Sequence, residues 1–306
     1  MTMPRQVLPG ATYLVTRRCA QRQFLLRPCD DTNGIFWYVL AIAAQRFGVL
    51  VHAFCVLSNH VHLVVSDPDA RLPAFEQLLD ALVARAVNAL HGRCESFWAP
   101  GSFSAVALLT PDDVVEKVAY VLANPVAAGL VERGRDWPGL WSGLEHVGSS
   151  LGPIPKPRFF RIGGPLPDEV SLDLRIPPGF ASADEFRHRA AAALSRREGK
   201  AVLAMRDAGR SFLGVQAALR QSPTATPSSE GSRGGLRPRF ASRDKWKRVE
   251  AINRAREFIA RYRRAWAAFA AGRRDMTFPA GTYWMRIMFQ VRCTTIGTAR
   301  PAPAPA

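Results

Sequence analysis

Residues 49–65 read VLVHAFCVLSNHVHLVV, and this stretch decides how the first half of the chain folds. Val49–Leu57 and His60–Val65 are β-rich runs on either side of the polar pair Ser58-Asn59, which predicts a hairpin. Working outward, Ala11–Cys19 (ATYLVTRRC) reads as a strand and Asp31–Phe47 as an apolar helix capped near Asp31 or Thr32. Downstream, apolar residues at 75, 78, 79, 82, 83, 86, 87 and 90 place a helical stripe along Leu72–His91. Phe103–Leu109 reads as a further strand. Thr110 then caps a helix over Pro111–Ala123. Proline stands at its first position and Asp112 and Asp113 lie in its first turn, where the helix dipole favours them.

The order strand, helix, strand, strand, helix, strand, then one more helix predicts an α+β fold. It is the ferredoxin-like (βαββαβ) arrangement, an antiparallel sheet with helices on one face, within residues 1–147. Beyond it the pattern loosens. A Pro/Gly-rich linker is expected at 148–182 and a mainly helical, basic region at 183–300, with a disordered insert near 221–240 and the tail PAPAPA at 301–306. In that region Ala183–Ala208 reads as helix, and Arg243–Ala271 as an amphipathic helix. Trp246, Val249, Ile252, Phe258, Ile259, Tyr262, Trp266 and Phe269 mark one side of the latter. Lys245, Lys247, Arg248, Arg254, Arg256, Arg261, Arg263 and Arg264 mark the other.

The chain has 306 residues, and at 48% hydrophobic it can bury a sizeable core. Its formal net charge is +16, but residues 1–148 carry 12 Lys/Arg against 13 Asp/Glu. The whole excess therefore belongs to the second half, as expected of a phosphate-binding block. A G+C-rich genome, which inflates Arg, Ala and Pro together, would give a basic chain too, but would not by itself spare the first half. Five scattered cysteines without a C-x-x-C pair argue against a disulfide framework or a thiolate zinc site. Met1–Gly10 lacks the pattern of a signal peptide, and Val39–Val51 is too short to span a bilayer. A cytoplasmic protein without membrane partners is expected.

Two features carry chemistry. In His60-Val61-His62 the alternation of a strand puts both imidazoles on one face, about 6–7 Å apart along the backbone, able to converge on one ion. On its own such a pair arises by chance, and half-buried histidines on a solvent-facing sheet are its plainer reading. On the helix before Asn124-Pro125, Lys117, Tyr120 and Asn124 share a face. Here too a plain alternative stands, with Asn124 capping a short helix that Gly129 ends and Tyr120 an ordinary core aromatic.

Together these residues resemble a known family. Asn59-His60-Val61-His62 looks like the HUH (His-hydrophobe-His) motif. Tyr120 follows some sixty residues later, and Asn124-Pro125-Val126-Ala127-Ala128-Gly129-Leu130-Val131, Trp137-Pro138 and Trp141-Ser142 come after it. The run is similar to the IS200-like Y1 transposases, and within them to the REP-associated tyrosine transposases. The opening Pro9-Gly10-Ala11-Thr12-Tyr13-Leu14-Val15-Thr16-Arg17 fits that family's first strand. Val56-Leu57-Ser58 departs from it where many members have Met-Pro, and the resemblance stops near residue 147.

The resemblance implies a single-stranded DNA transposase or nickase, with Tyr120 as the nucleophile and a 5′-phosphotyrosine as intermediate. It implies His60, His62 and Asn124 as ligands of a divalent ion, Mg or Mn, although two imidazoles alone would suit Zn or Mn. A phenol titrates near pH 10 unless perturbed, so it needs help, from Lys117 or from the DNA itself. Contacts to single-stranded or hairpin DNA are expected from Lys117, Arg17, Arg18, Lys245, Lys247, Arg248, Arg261, Arg263 and Arg264, in a homodimer or a monomer. The competing readings are a domesticated relative that binds DNA hairpins without cutting, and a metal- or RNA-binding ferredoxin-like module. Against the last, no strand carries an RNP-type aromatic signature. If catalysis and charge divide this way, truncation after about Gly148 should cost DNA affinity more than active-site geometry.

Overall fold

The expected hairpin is present as β2 (Leu50–Leu57) and β3 (His60–Asp67), antiparallel, with Leu57 opposite His60. The computed structural model describes residues 4–228 and 238–295. Together with β1 (Ala11–Arg18), β4 (Ser104–Leu108) and β7 (Phe240–Ala241), the hairpin builds a five-stranded sheet ordered β2-β3-β1-β4-β7. The first four strands pair antiparallel and β7 runs parallel to β4.

Alternation sorts the sheet into two faces. Tyr13, Val15, Val61, Leu63 and Val65 pack with α1 (Asp30–Phe47) and α2 (Leu72–Leu90). Leu14, Ala53, Cys55 and Val64 pack on the other side with α3 (Pro111–Leu122). Helices thus cover both faces, not one as expected, because each face carries its own row of apolar side chains. Thr110 caps α3 as expected, its hydroxyl accepting from the Asp113 N–H at 3.2 Å. The cap of α1 lies earlier than Asp31 or Thr32: the Cys29 sulfur accepts from the Thr32 N–H.

The chain beyond residue 147 belongs to the same compact unit, which runs Gly10–Arg243. The stretch expected as a linker contains a hairpin of β5 (Ser150–Pro155) and β6 (Glu169–Asp173), whose Ile154, Val170 and Leu172, with Leu174 just beyond, enter the core beside α1. Phe186, Ala190 and Ala193 of α5 (Ala183–Asp207) enter the other core against α3. The expected boundary near 147 is therefore displaced, since both layers need these residues for cover. The short α6 (Val215–Leu219) follows.

The β2 edge of the sheet is closed, as exposed edges invite pairing with other chains. On β2, the Val56 N–H donates to the Leu140 carbonyl, and the Arg175 N–H donates to the Val51 carbonyl. The Phe54 N–H meets the Ser142 hydroxyl at 3.1 Å. The Trp-Pro and Trp-Ser words of the sequence are these fasteners, since Trp137 Nε1 also donates to the Val56 carbonyl and Trp141 Nε1 to that of Leu122, at the end of α3. Gly134 backs onto the same carbonyl. A Cβ there would stand 2.4 Å from the Leu122 oxygen, so the close approach requires glycine.

Part of the insert expected to be disordered is fixed. Gln221 accepts from the Ser58 hydroxyl and the Ala225 carbonyl from the Phe24 N–H. Residues 229–237 of that insert, and the 301–306 tail, lie outside the described residues. The second unit comprises Met1–Pro9 and Asp244–Ala306. Its α7 (Lys245–Ala270) is capped by Asp244 and buries Ala251, Phe258, Ala265 and Ala268. Trp246 is 79% exposed and Val249 is also exposed, so the packed stripe starts later than the sequence suggests. Phe278 is fully buried against Tyr262 and Phe269, near α8 (Trp284–Phe289). Among the described residues no helix is long and apolar enough to cross a membrane.

One buried polar chain crosses the sheet. His52, at a bulge in β2, reaches the Arg175 carbonyl through Nδ1 at 2.7 Å and the Ser66 hydroxyl through Nε2 at 2.8 Å. A carbonyl only accepts, so Nδ1 carries the hydrogen and Nε2 accepts from Ser66, which in turn contacts Thr12. Burial pushes the His52 pKa down to about 4. The unfolded chain binds this proton near pH 6.5, so the stability is fully present above that pH. It is lost as pH falls from about 6.5 toward 4, up to about 3 kcal/mol. His52→Gln should reduce the slope of unfolding free energy against pH in that window by up to one proton, about 1.4 kcal/mol per pH unit. Urea melts of both proteins at several pH values measure it, and equal slopes would refute this account.

Candidate active site

His60 and His62 stand on the α3 face of β3, since Val61 and Leu63 occupy the opposite core. Their ring centroids are 4.8 Å apart and nearly perpendicular. Each ring is oriented through Nδ1. That of His60 meets Asn59 Oδ1 at 2.6 Å, while Asn59 Nδ2 donates to the Arg22 carbonyl. The amide is thereby fixed with its oxygen toward His60, so Nδ1 carries the hydrogen and Nε2 keeps a lone pair. Nδ1 of His62 meets the hydroxyl of Thr16, its cross-strand partner on β1, at 2.8 Å.

Both imidazoles are held neutral. Burial, then Arg18 and Arg22, push His60 down to about 4. Burial, then His60 and Lys117, push His62 well below its ordinary value. Neutral rings with Nδ1 occupied suit coordination through Nε2. Among the described residues no group of three His, Cys, Asp or Glu side chains gathers. Asn124 opens α4 (Asn124–Ala127), buried, its Nδ2 without a partner among the described residues. The two neutral imidazoles are nitrogen donors that fit a divalent ion.

Tyr120 projects from α3 beside this pair, its ring centroid 5.4 Å from that of His62. It is 36% exposed, open to a macromolecular substrate. Lys117 Nζ lies 5.4 Å from the ring centroid and Arg197 Cζ lies 5.9 Å from it. Burial, then Arg197, lower the Lys117 pKa, opposed by Asp113 and Glu116. Glu116, one turn before Tyr120, pairs with Arg197 at 2.9 Å, Arg243 at 3.0 Å and Arg196 at 3.6 Å.

Of the residues read from the sequence, His60, His62, Lys117 and Tyr120 come together here. Arg18 pairs across from His60 and shares its face. Arg17 faces the other way, ion-paired to Asp80 of α2 at 3.1 Å with its guanidinium over Trp98. Its side chain is mostly buried, on the face opposite Tyr120. Lys245, Lys247, Arg248, Arg261, Arg263 and Arg264 lie on α7 in the second unit. The sequence reading missed Thr16, Glu116 and Arg197. Strand alternation marks Thr16 once its register with His62 is known. Arg197 extends the Phe186, Ala190, Ala193 stripe of α5 at helical spacing, which is the signal that could have exposed it.

No family model and no curated protein matches the chain. Solved structures do. A REP-associated tyrosine transposase bound to a REP hairpin is 19% identical, covering 48% of this chain and 84% of its own, with a TM-score of 0.40. A candidate transposase from Deinococcus radiodurans R1 is 20% identical, covering 35% of this chain and 85% of its own, with a TM-score of 0.28.

Proposed function

We propose that this protein cleaves and rejoins single-stranded DNA as a transposase or nickase of the HUH type, built on a ferredoxin-like core. The observation that carries the reading is the convergence of Tyr120 from α3 with His60 and His62 from β3, the rings in contact at 5.4 and 4.8 Å. The sheet order β2-β3-β1-β4 with helices after β1 and β3 supports the core assignment.

In the reaction, the Tyr120 oxygen bonds to phosphorus as the bond to the 3′-oxygen breaks. The phenolic proton is released and the 3′-oxygen takes one up. One ester replaces another, so the 5′-phosphotyrosine can be returned to a 3′-hydroxyl without hydrolysis. Tyr120 attacks from a helix anchored at its end by Trp141, which keeps the phenol at a fixed height over the sheet. Lys117, its amine partly desolvated, sets a cation 5.4 Å from the centre of the Tyr120 ring, on the side that an incoming phosphate would approach. His60, His62 and Asn124 would hold the divalent ion, Mg or Mn. When bound, it supplies polarisation of the scissile phosphate. Asn59 and Thr16 fix the two rings for that purpose.

The test is covalent capture. End-labelled single-stranded hairpins, taken from the flanks of the gene, are incubated with the protein and Mg²⁺ or Mn²⁺ and run on a denaturing gel. Wild type is expected to form a protein–DNA adduct and Tyr120→Phe none. An adduct with Tyr120→Phe would reassign the nucleophile. Hairpin binding without any adduct would favour the non-cleaving alternative.

A further inference from the structure

We infer that α5 supplies a catalytic guanidinium in cis, Arg197, which holds the phosphate that Tyr120 attacks, with Glu116 as its positioning residue. The inference rests on the phosphotyrosine reading above and adds a group from outside the ferredoxin-like core.

Three observations lead to it. First, Arg197 continues the buried face of α5, following Phe186, Ala190 and Ala193, so packing against α3 delivers it beside Tyr120 rather than to bulk solvent. Second, Glu116 stands one helical turn before Tyr120 with its side chain only 14% exposed, and it grips Arg197 through Nη2. That contact uses Nη2 alone. The Arg197 Nε is buried and has no partner among the described residues, an orphaned donor beside the reacting side chain. Third, the local charge is unbalanced. Glu116 serves Arg196, Arg197 and Arg243, and with Asp113 it also faces Lys117, so two carboxylates stand against four cations. Such an excess of cations beside a phenol suits an anionic partner. The planar fork of Arg197 matches two phosphoryl oxygens, which a point charge cannot do.

During transfer Arg197 exchanges no proton, since a guanidinium stays charged. Its role is to offset charge on the non-bridging oxygens while the Tyr120–phosphorus bond forms and the 3′-oxygen departs. Glu116 acts only through Arg197. It holds the guanidinium in a fixed position, and the loss of one carboxylate leaves three arginines repelling one another.

The experiment compares wild type, Arg197→Ala, Arg197→Lys and Glu116→Gln in the full chain. Substrates are a hairpin with a normal phosphodiester and one with an uncharged methylphosphonate at the cleaved position. Adduct formation rates, hairpin affinity and melting temperature are measured for each. Arg197→Ala should slow adduct formation on the phosphodiester about 10²-fold. On the methylphosphonate, where no oxyanion charge needs offsetting, it should remain within about fivefold of wild type, and added guanidinium should restore part of the phosphodiester rate. Glu116→Gln should lose less than Arg197→Ala. Should Arg197→Ala unfold, Arg197→Lys decides, with the same contrast between substrates expected. A wild-type adduct together with unimpaired Arg197 variants overturns the inference and leaves the Tyr120 reading intact. Equal losses on both substrates assign Arg197 a structural role and overturn it too. Absence of a wild-type adduct on either substrate removes the Tyr120 reading, and this inference with it.

Discussion

Ending the chain at Gly148 is expected to abolish cooperative folding, not to release a neutral catalytic unit. The sequence suggests a self-sufficient domain over 1–147, but its two cores are completed from beyond that point. Ile154, Val170, Leu172 and Leu174 fill the side next to α1, and Phe186 with Ala190 and Ala193 fill the side next to α3. Burying a large apolar side chain contributes about 1.5–3 kcal/mol, so the five large ones alone contribute on the order of 10 kcal/mol. That is comparable to the whole stability of a domain, roughly 5–15 kcal/mol. The fragment would also lose the Arg175 bond that closes the edge of β2 and the pairing of β7 on β4. Phe186→Ala tests the same claim with one residue. The ring is fully buried, and its removal should cost about 3–5 kcal/mol. Ending the chain at Arg243 should retain the cooperative transition, because the Gly10–Arg243 unit carries its own cores. With the α7 cations gone, that protein should show weaker DNA binding and a shallower salt dependence. Circular dichroism during urea titration distinguishes these outcomes. A 1–148 fragment melting at the midpoint of the intact protein would show that the later helices are ornaments.

Local chemistry was legible. Ser58-Asn59 between two β-rich runs makes a hairpin wherever it is placed, and Thr110 before Pro111 caps a helix by its own hydroxyl. His60 and His62 fall on one face because a strand has period two, and Tyr120 falls one turn after Glu116 because a helix has period 3.6. Non-local packing was not legible. Gly- and Pro-rich residues 148–178 look like a linker when judged by composition, yet Ile154 and Leu172 find partners on α1 that no local window contains. Likewise α5 reads as an independent helix until α3 is seen to need its apolar stripe. The arginines show the limit most clearly. Arg17 and Arg18 are neighbours with the same chemistry, and the sequence offers both to DNA. Alternation must send them to opposite faces, and only the register of β1 with β3 says that Arg18 is the one beside His60. Arg197 is distant from Tyr120 in sequence and close in space, which places it beyond any motif.

Replacing His60 and His62 together by alanine should lower metal-dependent adduct formation at least about 10³-fold, the scale of several kcal/mol of charge stabilisation at phosphate. Geometry, not the motif, sets this expectation. Both rings are neutral and both are oriented through Nδ1, and no His, Cys, Asp or Glu trio gathers among the described residues. The supporting groups predict a graded series. Thr16→Val leaves His62 in place but removes its anchor, so it should cost about 10–100-fold in apparent metal affinity and be rescued by more Mn²⁺. Asn59→Ala should behave alike through His60. The double histidine variant should not be rescued at any concentration. His62 also touches the Tyr120 ring, so its loss could disturb the nucleophile directly. His60→Ala, one ring removed from the phenol, separates the two effects. Mn²⁺ titration followed by water-proton relaxation reads ion binding without any DNA. If the double variant binds Mn²⁺ as wild type does and still forms adduct within tenfold, the ion is held elsewhere. The paired rings would then serve to pack against Tyr120.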